Sequence, residues 1–289
     1  MSFTLGFVLI THNEPQQAAR LVRRLNAMFG APPIAWHHDF SKSPQLPPDC
    51  ITSNVTLVRP HLETAWARFP VVEAAMRALE TLYASDRAPD AFVLLSGADY
   101  PIKPADQILR DLSTSPYDAH IAHEKIVYNR YERAWHEVCY ARYCTARLKL
   151  WPGRNAKPLD ISHPVLAAPF LPFSRRLSCY AGEFWFSARR SAAEYLIAFH
   201  RSKPQLANHY RGLAFPEESY FQTILCNSSL RVSRNHWRYI DWSSTTGSLP
   251  KVLAMADLPR LRVSSAHFAR KVNPAVSADL LDALDADIL

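Results

Sequence analysis

At 289 residues and 48% hydrophobic, the chain has enough apolar material to bury a full core as one large domain. Its five cysteines (Cys50, Cys139, Cys144, Cys179, Cys226) are scattered with no C-x-x-C pair, which argues against a disulfide framework or a zinc ribbon. No apolar run is long enough to span a bilayer and residues 2–10 are too short for a signal peptide, so a soluble cytoplasmic protein is expected, and the net charge of +7 suits an anionic partner.

Residues 3–10 form a β-rich apolar run that ends in the polar break Thr11-His12-Asn13-Glu14-Pro15. Leu21, Val22, Leu25, Met28 and Phe29 then recur at helical spacing, so 16–29 reads as a helix. A second strand, 34–36, ends in His37-His38-Asp39. Strand, helix, strand opens a mostly parallel sheet, in which ligands bind beyond the carboxyl ends of the strands. His12 and Asp39 stand at such ends. A third strand is expected over 54–58 and a helix over 66–83 with Pro70 in its first turn. A buried strand over 91–95 presents Asp99 within Ser96-Gly97-Ala98-Asp99-Tyr100-Pro101, and a short helix follows over 105–112. The order β-α-β-β-α-β-α suits a nucleotide-binding half, yet neither phosphate-binding glycine motif occurs.

Between 119 and 154, Tyr128, Tyr131, Trp135, Tyr140, Tyr143 and Trp151 interleave with Arg130, Arg133, Arg142, Arg147, Lys149 and Arg154. Aromatic faces and guanidinium groups suit sugar rings and phosphates, and equally single-stranded nucleic acid. The run His120-Ile121-Ala122-His123-Glu124 lacks the spacing of a helical zinc motif. Ala181-Gly182-Glu183-Phe184-Trp185-Phe186 reads as a glycine-started aromatic strand, and 191–199 as a helix. Pro216 suits a first helical position, so a helix is expected over 216–227. Glu217 and Glu218 fall in its first turn, where free N–H groups favour negative charge and keep a carboxylate ionised. Short strands follow at 230–233 and 238–242, then His267-Phe268-Ala269-Arg270-Lys271. Ser277 is placed to cap a last helix carrying Leu280, Leu281 and Leu284.

The segments 7–12, 35–43, 65–79, 94–103, 181–186, 216–225, 230–242 and 268–271 occur in an order that resembles the Core-2/I-branching glycosyltransferase family. The likeness is greater to its peptide O-xylosyltransferase branch than to its β-1,6-N-acetylglucosaminyltransferase branch, and it is thinnest over 121–177. It implies an α/β fold of GT-A type, with a Rossmann-like, mostly parallel sheet flanked by helices. One domain over 1–289 would comprise a nucleotide-binding half at 1–112 and an acceptor-binding, catalytic half at 113–289. The resemblance also implies transfer of a sugar, xylose or N-acetylglucosamine, from a UDP-sugar with inversion, with no cofactor and no divalent metal. The sequence agrees on the metal, because its only Asp-x-Asp tripeptide, Asp285-Ala286-Asp287, lies on the expected terminal helix rather than at a strand end.

On the family's Pro-x-Glu-Ser-aromatic-Phe pattern, Glu218 is the general base and Glu217 an ordinary helix-start residue. Lys271, with Arg270 beside it, corresponds to the family's diphosphate-binding lysine, with Arg238 as a helper. Asp39 resembles the residue that reads uracil. Glu183, Trp185 and Trp242 correspond to acceptor- or sugar-side positions, and His12 and Asp99 complete the substrate contacts at strand ends. Eukaryotic relatives are disulfide-bonded, membrane-tethered proteins of the Golgi. The unpaired cysteines here shift the expected acceptor from a protein toward a polysaccharide or glycolipid, with peripheral contact to an anionic inner-membrane surface. Rival readings are a non-catalytic binder of nucleic acid or another polyanion, which would need neither Glu218 nor Asp39, and a metal-dependent retaining transferase. Nucleic acid is not the expected partner.

Overall fold

Strand β1 (Leu5–Thr11) is buried at every position, as a strand covered on both faces must be. The computed structural model describes residues 3–84, 87–129, 133–148, 159–243 and 249–287. Arg130, Tyr131, Lys149, Trp151 and Arg154 of the aromatic–basic stretch therefore lie outside the described residues. After β1 come α1 (Pro15–Phe29), β2 (Ile34–His38), β3 (Val55–Leu57), α2 (Pro70–Tyr83), β4 (Ala91–Ser96), β5 (Asp99–Pro101) and α3 (Ala105–Thr114). The middle of the chain holds β6 (Ala119–His120), β7 (Glu124–Lys125), α4 (Ala134–Tyr143), β8 (Ala146–Leu148), β9 (Leu159–Ile161), α5 (Pro164–Ala167), β10 (Tyr180–Ala181) and β11 (Ser187–Arg189). The remainder is α6 (Arg190–Ser202), α7 (Pro204–Arg211), α8 (Tyr220–Cys226), β12 (Val232–Ser233), β13 (Arg238–Ile240), α9 (Leu258–Val263), β14 (Phe268–Arg270) and α10 (Pro274–Asp287).

The main sheet has the order β12-β6-β11-β4-β1-β2-β3. β1 pairs in parallel with β2 and β4, β2 with β3, and β6 with β12, whereas β11 is antiparallel to both β4 and β6. Every strand of this sheet except β11 thus points the same way. Side chains alternate faces with period two. Leu5, Phe7 and Leu9 enter one core with α1 and α10, while Val8 and Ile10 enter the other with α2, α6 and α8. A second sheet, β13-β14-β5, joins the two halves of the chain.

Three local expectations are corrected. The stretch from Pro216 is not one helix: residues 216–218 form a single 3-10 turn, and α8 starts afresh at Tyr220 after Ser219. Of residues 181–186 only Ala181, the end of β10, is strand, because the Gly182 N–H leaves the ladder to donate to the Glu218 carbonyl at 2.7 Å. Ser277 does not cap α10. Asn273 does, its Oδ1 accepting from the Ala275 N–H at 2.8 Å, while the Ser277 hydroxyl donates to the Leu253 carbonyl at 2.6 Å.

Candidate active site

The parallel strands bring their carboxyl ends to one edge of the main sheet. His12 follows β1, Asp39 follows β2, Asp99 opens β5 just past β4, and residues 122–124 follow β6. β11 runs the opposite way, so its lead-in, residues 182–186, reaches that same edge and carries Glu183 and Trp185 there.

At the β1–β2 end, Asp39 is fully buried yet strongly acidic. Burial opposes its charge, but Ser41 and Thr64 each donate a backbone N–H and a hydroxyl, and together they hold the carboxyl at about 2. Those four donors fill the lone pairs of a carboxylate. His12 is exposed beside it. Partial burial and then the Lys42 charge lower its pKa, with Asp39 opposing and Lys271 adding to the decrease. His12, Asp39, Lys42 and Lys271 are therefore electrostatic neighbours.

Deeper in, the register of β14 on β5 sets Arg270 opposite Asp99, and their side chains form an ion pair at 3.8 Å. The second Asp99 oxygen accepts from the Ser96 N–H at 2.6 Å and its hydroxyl at 2.5 Å. Arg238 is buried, its Nη2 donating to the carbonyls of Leu94 and Phe186 at 3.1 and 3.2 Å, so it ties β4 to the approach to β11. Burial brings Arg238 down to about 10, with Asp99 opposing. Arg270 is lowered for the same reason, and its guanidinium lies 4.6 Å from the centre of the Trp185 ring. Burial, then the Arg270 charge, also lowers Lys271. Two buried guanidinium groups and a half-buried ammonium thus share one buried carboxylate. Among the described residues, the Nε of Arg238 and of Arg270 has no hydrogen-bond partner.

Glu218 stands in a cleft of about 570 Å³ lined also by Glu183, Trp242, Trp135, Arg142, Phe215 and Arg234. Its backbone is held from two sides, by the Gly182 N–H and by the Ser219 hydroxyl donating to the Tyr180 carbonyl at 2.6 Å. Gly182 is required for this approach, because a Cβ there would meet the Ala122 carbonyl oxygen at 2.0 Å. The Glu218 side chain is 35% exposed and accepts from Arg142 Nη1 at 3.3 Å. Burial, then the Glu217 and Glu183 charges, push its carboxyl up to about 7 against the opposing Arg142. The expectation that the helix start keeps Glu218 fully ionised is therefore corrected: desolvation in the cleft outweighs a turn of three residues. Glu217 is no ordinary helix-start residue either. Burial pushes it up to about 7 as well, with a backbone hydrogen bond and Arg142 opposing, and among the described residues its Oε2 is unpartnered.

The predicted residues therefore fall into two groups. Glu218, Glu183 and Trp242 line the cleft; His12, Asp39, Asp99, Arg238, Arg270 and Lys271 are not among its lining residues, and Arg270 stacks on Trp185. Glu183 links the groups, since its charge acts on both Arg270 and Glu218 while burial raises its own pKa. The Asp285-Ala286-Asp287 tripeptide is structural: Asp285 binds Arg20 at 2.6 Å and Tyr100 at 2.6 Å, and Asp287 binds Arg262 at 2.8 Å. Among the described residues, no three His, Cys, Asp or Glu side chains converge to hold a metal ion. Arg142 and Trp135 were visible in the sequence only as members of a basic aromatic stretch. Arg234 was not singled out, although its place just past β12, at a parallel strand's carboxyl end, is the signal that finds it.

A family model described as Core-2/I-Branching enzyme matches residues 8–262. The beta-glucuronosyltransferases GlcAT14B and GlcAT14A of Arabidopsis thaliana are each 25% identical to the chain, over 205 and 206 residues or 69% of it. Those matches cover 44% and 43% of the two plant proteins, so the chain spans less than half the length of the curated relatives it matches. Among solved structures, the galactosyltransferase LgtC in complex with donor and acceptor sugar analogs aligns over 97% of this chain and 96% of its own, at 10% identity and a TM-score of 0.38, a likeness too distant to argue from. The sheet order, the site at its carboxyl edge and the match over residues 8–262 together lead to one conclusion: the chain belongs to the Core-2/I-branching enzyme family and has its α/β, GT-A-type fold.

Proposed function

We propose that the chain is an inverting glycosyltransferase that moves a sugar from a UDP-sugar to an acceptor hydroxyl, with Glu218 as general base and without a divalent metal. The observation that carries this reading is the pairing of a cleft carboxyl poised near neutral pH with the buried cations around Asp99, the two linked by Glu183, whose charge acts on both Glu218 and Arg270. A base with a pKa near 7 has both the free form and the basicity needed to take a hydroxyl proton. As it does so, the acceptor oxygen bonds to the anomeric carbon from the face opposite UDP, and the bond from that carbon to the diphosphate breaks. Negative charge builds on the departing diphosphate, and Arg270 and Lys271 stabilise it, with the buried Arg238 adding to the field. The engagement of Asp99, Asp285 and Asp287 with protein partners supports the metal-free reading.

Asp39, held ionised by Ser41 and Thr64, is the residue that reads uracil, with His12 beside it as a further contact. Trp185, Glu183 and Trp242 serve the sugar and acceptor side. Xylose and N-acetylglucosamine are the donors implied by the resemblance, and the names of the plant relatives add glucuronic acid. The acceptor is a polysaccharide, glycolipid or protein hydroxyl. Transfer from the three UDP-sugars, assayed with EDTA and with Mg²⁺, tests the proposal. It predicts turnover that survives EDTA, a product of inverted anomeric configuration by NMR, and loss of turnover in Glu218→Gln with UDP binding retained. Full turnover in that variant removes Glu218 as the base, and activity that needs Mg²⁺ with retention of configuration replaces the whole reading.

A further inference from the structure

The last turn of α4 faces the cleft, and Arg142 projects from it toward the 215–218 turn. Its guanidinium lies 4.4 Å from the centre of the Phe215 ring and 5.6 Å from that of Tyr143, while the Tyr143 hydroxyl donates to the Phe215 carbonyl at 2.7 Å. Phe215 is itself in the left-handed region, at φ 54, an unusual conformation for a residue with a side chain. α4 therefore grips the residue that aims the Pro216–Glu218 turn, by a ring contact and by a backbone hydrogen bond. From that platform Arg142 Nη1 reaches one oxygen of Glu218, Oε2, at 3.3 Å. Among the described residues the other oxygen accepts no hydrogen bond, which leaves it to the cleft.

We infer that Arg142 is a positioning residue that aims the Glu218 carboxylate into the cleft and sets the pH range in which it accepts a proton. The inference rests on the reading of Glu218 as the base. The charged and titratable groups around Glu218 show why a cation is needed. Glu217 neighbours it on its own turn, and Glu183 reaches it from the approach to β11. Arg142, Tyr143 and Cys139 face it from α4. His123, Glu124, Arg133 and Arg234 share the cleft wall, with Arg133 and His136 both engaged by Glu124. Two of the nearest groups are carboxyls, and both favour the protonated form of Glu218. Arg142 is the cation that acts against them. A cation at this range lowers a carboxyl by about 1–3 pH units. Without it, Glu217 and Glu218 hold their protons to higher pH and less of the base is ionised at neutral pH.

A guanidinium stacked on Phe215 could instead serve the fold alone, and the test separates the two roles. Arg142→Lys keeps a cation but loses the flat stacking surface; Arg142→Gln removes the charge. Transfer would be measured against pH for both variants and the parent, with donor and acceptor KM, alongside a ¹³C NMR titration of the Glu218 carboxyl assigned by its loss in Glu218→Gln. In Arg142→Gln the acid limb of kcat and the carboxyl titration should both move up by roughly one pH unit. Transfer should be slowed about tenfold below the limb and little above it. Arg142→Lys should keep both close to the parent. An unmoved carboxyl titration in a folded Arg142→Gln protein overturns the role of Arg142, as does a change confined to acceptor KM. Full turnover in Glu218→Gln overturns the base assignment instead, and the carboxyl titration still reports on Arg142 in that case.

Discussion

Glu217 and Glu218 are consecutive, partly buried, and both hold their protons to about 7. For activity the sign is simple. Glu218 accepts a proton only when ionised, so turnover should rise with pH through about 7 and level off above it, as a kcat–pH profile would show. For stability the sign is reversed. Glu217 titrates at about 7 in the folded chain against an ordinary value of 4.5, so between those values the folded state binds more protons than the unfolded state. Stability from this group is present below the lower value and falls as pH rises through the window. Glu217→Gln should therefore unfold at a higher temperature than the parent at pH 8 and at nearly the same temperature at pH 4. Equal melting temperatures at both pH values would place Glu217 in water rather than in a desolvated site.

Among the elements, the short ones carry the site. β6, β7 and β10 are only two residues each, and they succeed because they bring backbone groups together across long sequence gaps: Ala181 pairs with Glu124, and the Gly182 N–H meets the Glu218 carbonyl. Gly182 is the point where that assembly is tightest. A Cβ there would lie 2.0 Å from one backbone oxygen and 2.5 Å from its carbon, and neither atom can rotate away. Gly182→Ala should lower stability by roughly 1–3 kcal/mol in urea unfolding and cut turnover further than stability alone accounts for, because the backbone that must shift to relieve the clash carries the Gly182 N–H that holds the Glu218 carbonyl. The long elements behave differently. α1 and α10 cover one face of the sheet and α2 the other, and Asp285 on α10 ties the first pair to β5 by pairing with Arg20 of α1 and with Tyr100.

At the scale of the molecule, the site exists because one strand is reversed. With β11 parallel to its neighbours, residues 182–186 would lie at the far edge, and Glu183 would meet neither Arg270 nor Glu218. The second sheet adds a region of excess positive charge, Arg238 and Arg270 on its strands and Lys271 just after them, against Asp99. A diphosphate bound there stabilises the folded chain by mass action. UDP at about one hundred times its Kd should add roughly 2.7 kcal/mol in the presence of EDTA, read as a rise in Tm. Lys271→Ala should lose most of that protection at the same UDP concentration. Undiminished protection in the variant would move the diphosphate away from Lys271.

Much of this was legible in the chain itself. The apolar run of β1, the spacing of α1 and the polar breaks at His12, Asp39 and Asp99 specify a parallel sheet and its ligand edge, because burial on both faces demands continuous apolar strands and a loop must follow each one. The proline and two carboxyls at 216–218, with the cations at 270–271, are the sequence features on which the proposed chemistry rests. What the fold decided is the state of those groups. Periodicity carries no information on how much water a side chain loses, so the shift of Glu218 to about 7 follows only from the cleft walls that α4 and residues 182–186 supply. The register of β14 on β5, which sets Arg270 against Asp99, and the filling of Asp39 by Ser41 and Thr64 are likewise contacts between distant or loop residues. Residue types determined which charges this protein carries; packing determined which of them are buried, paired and free to act.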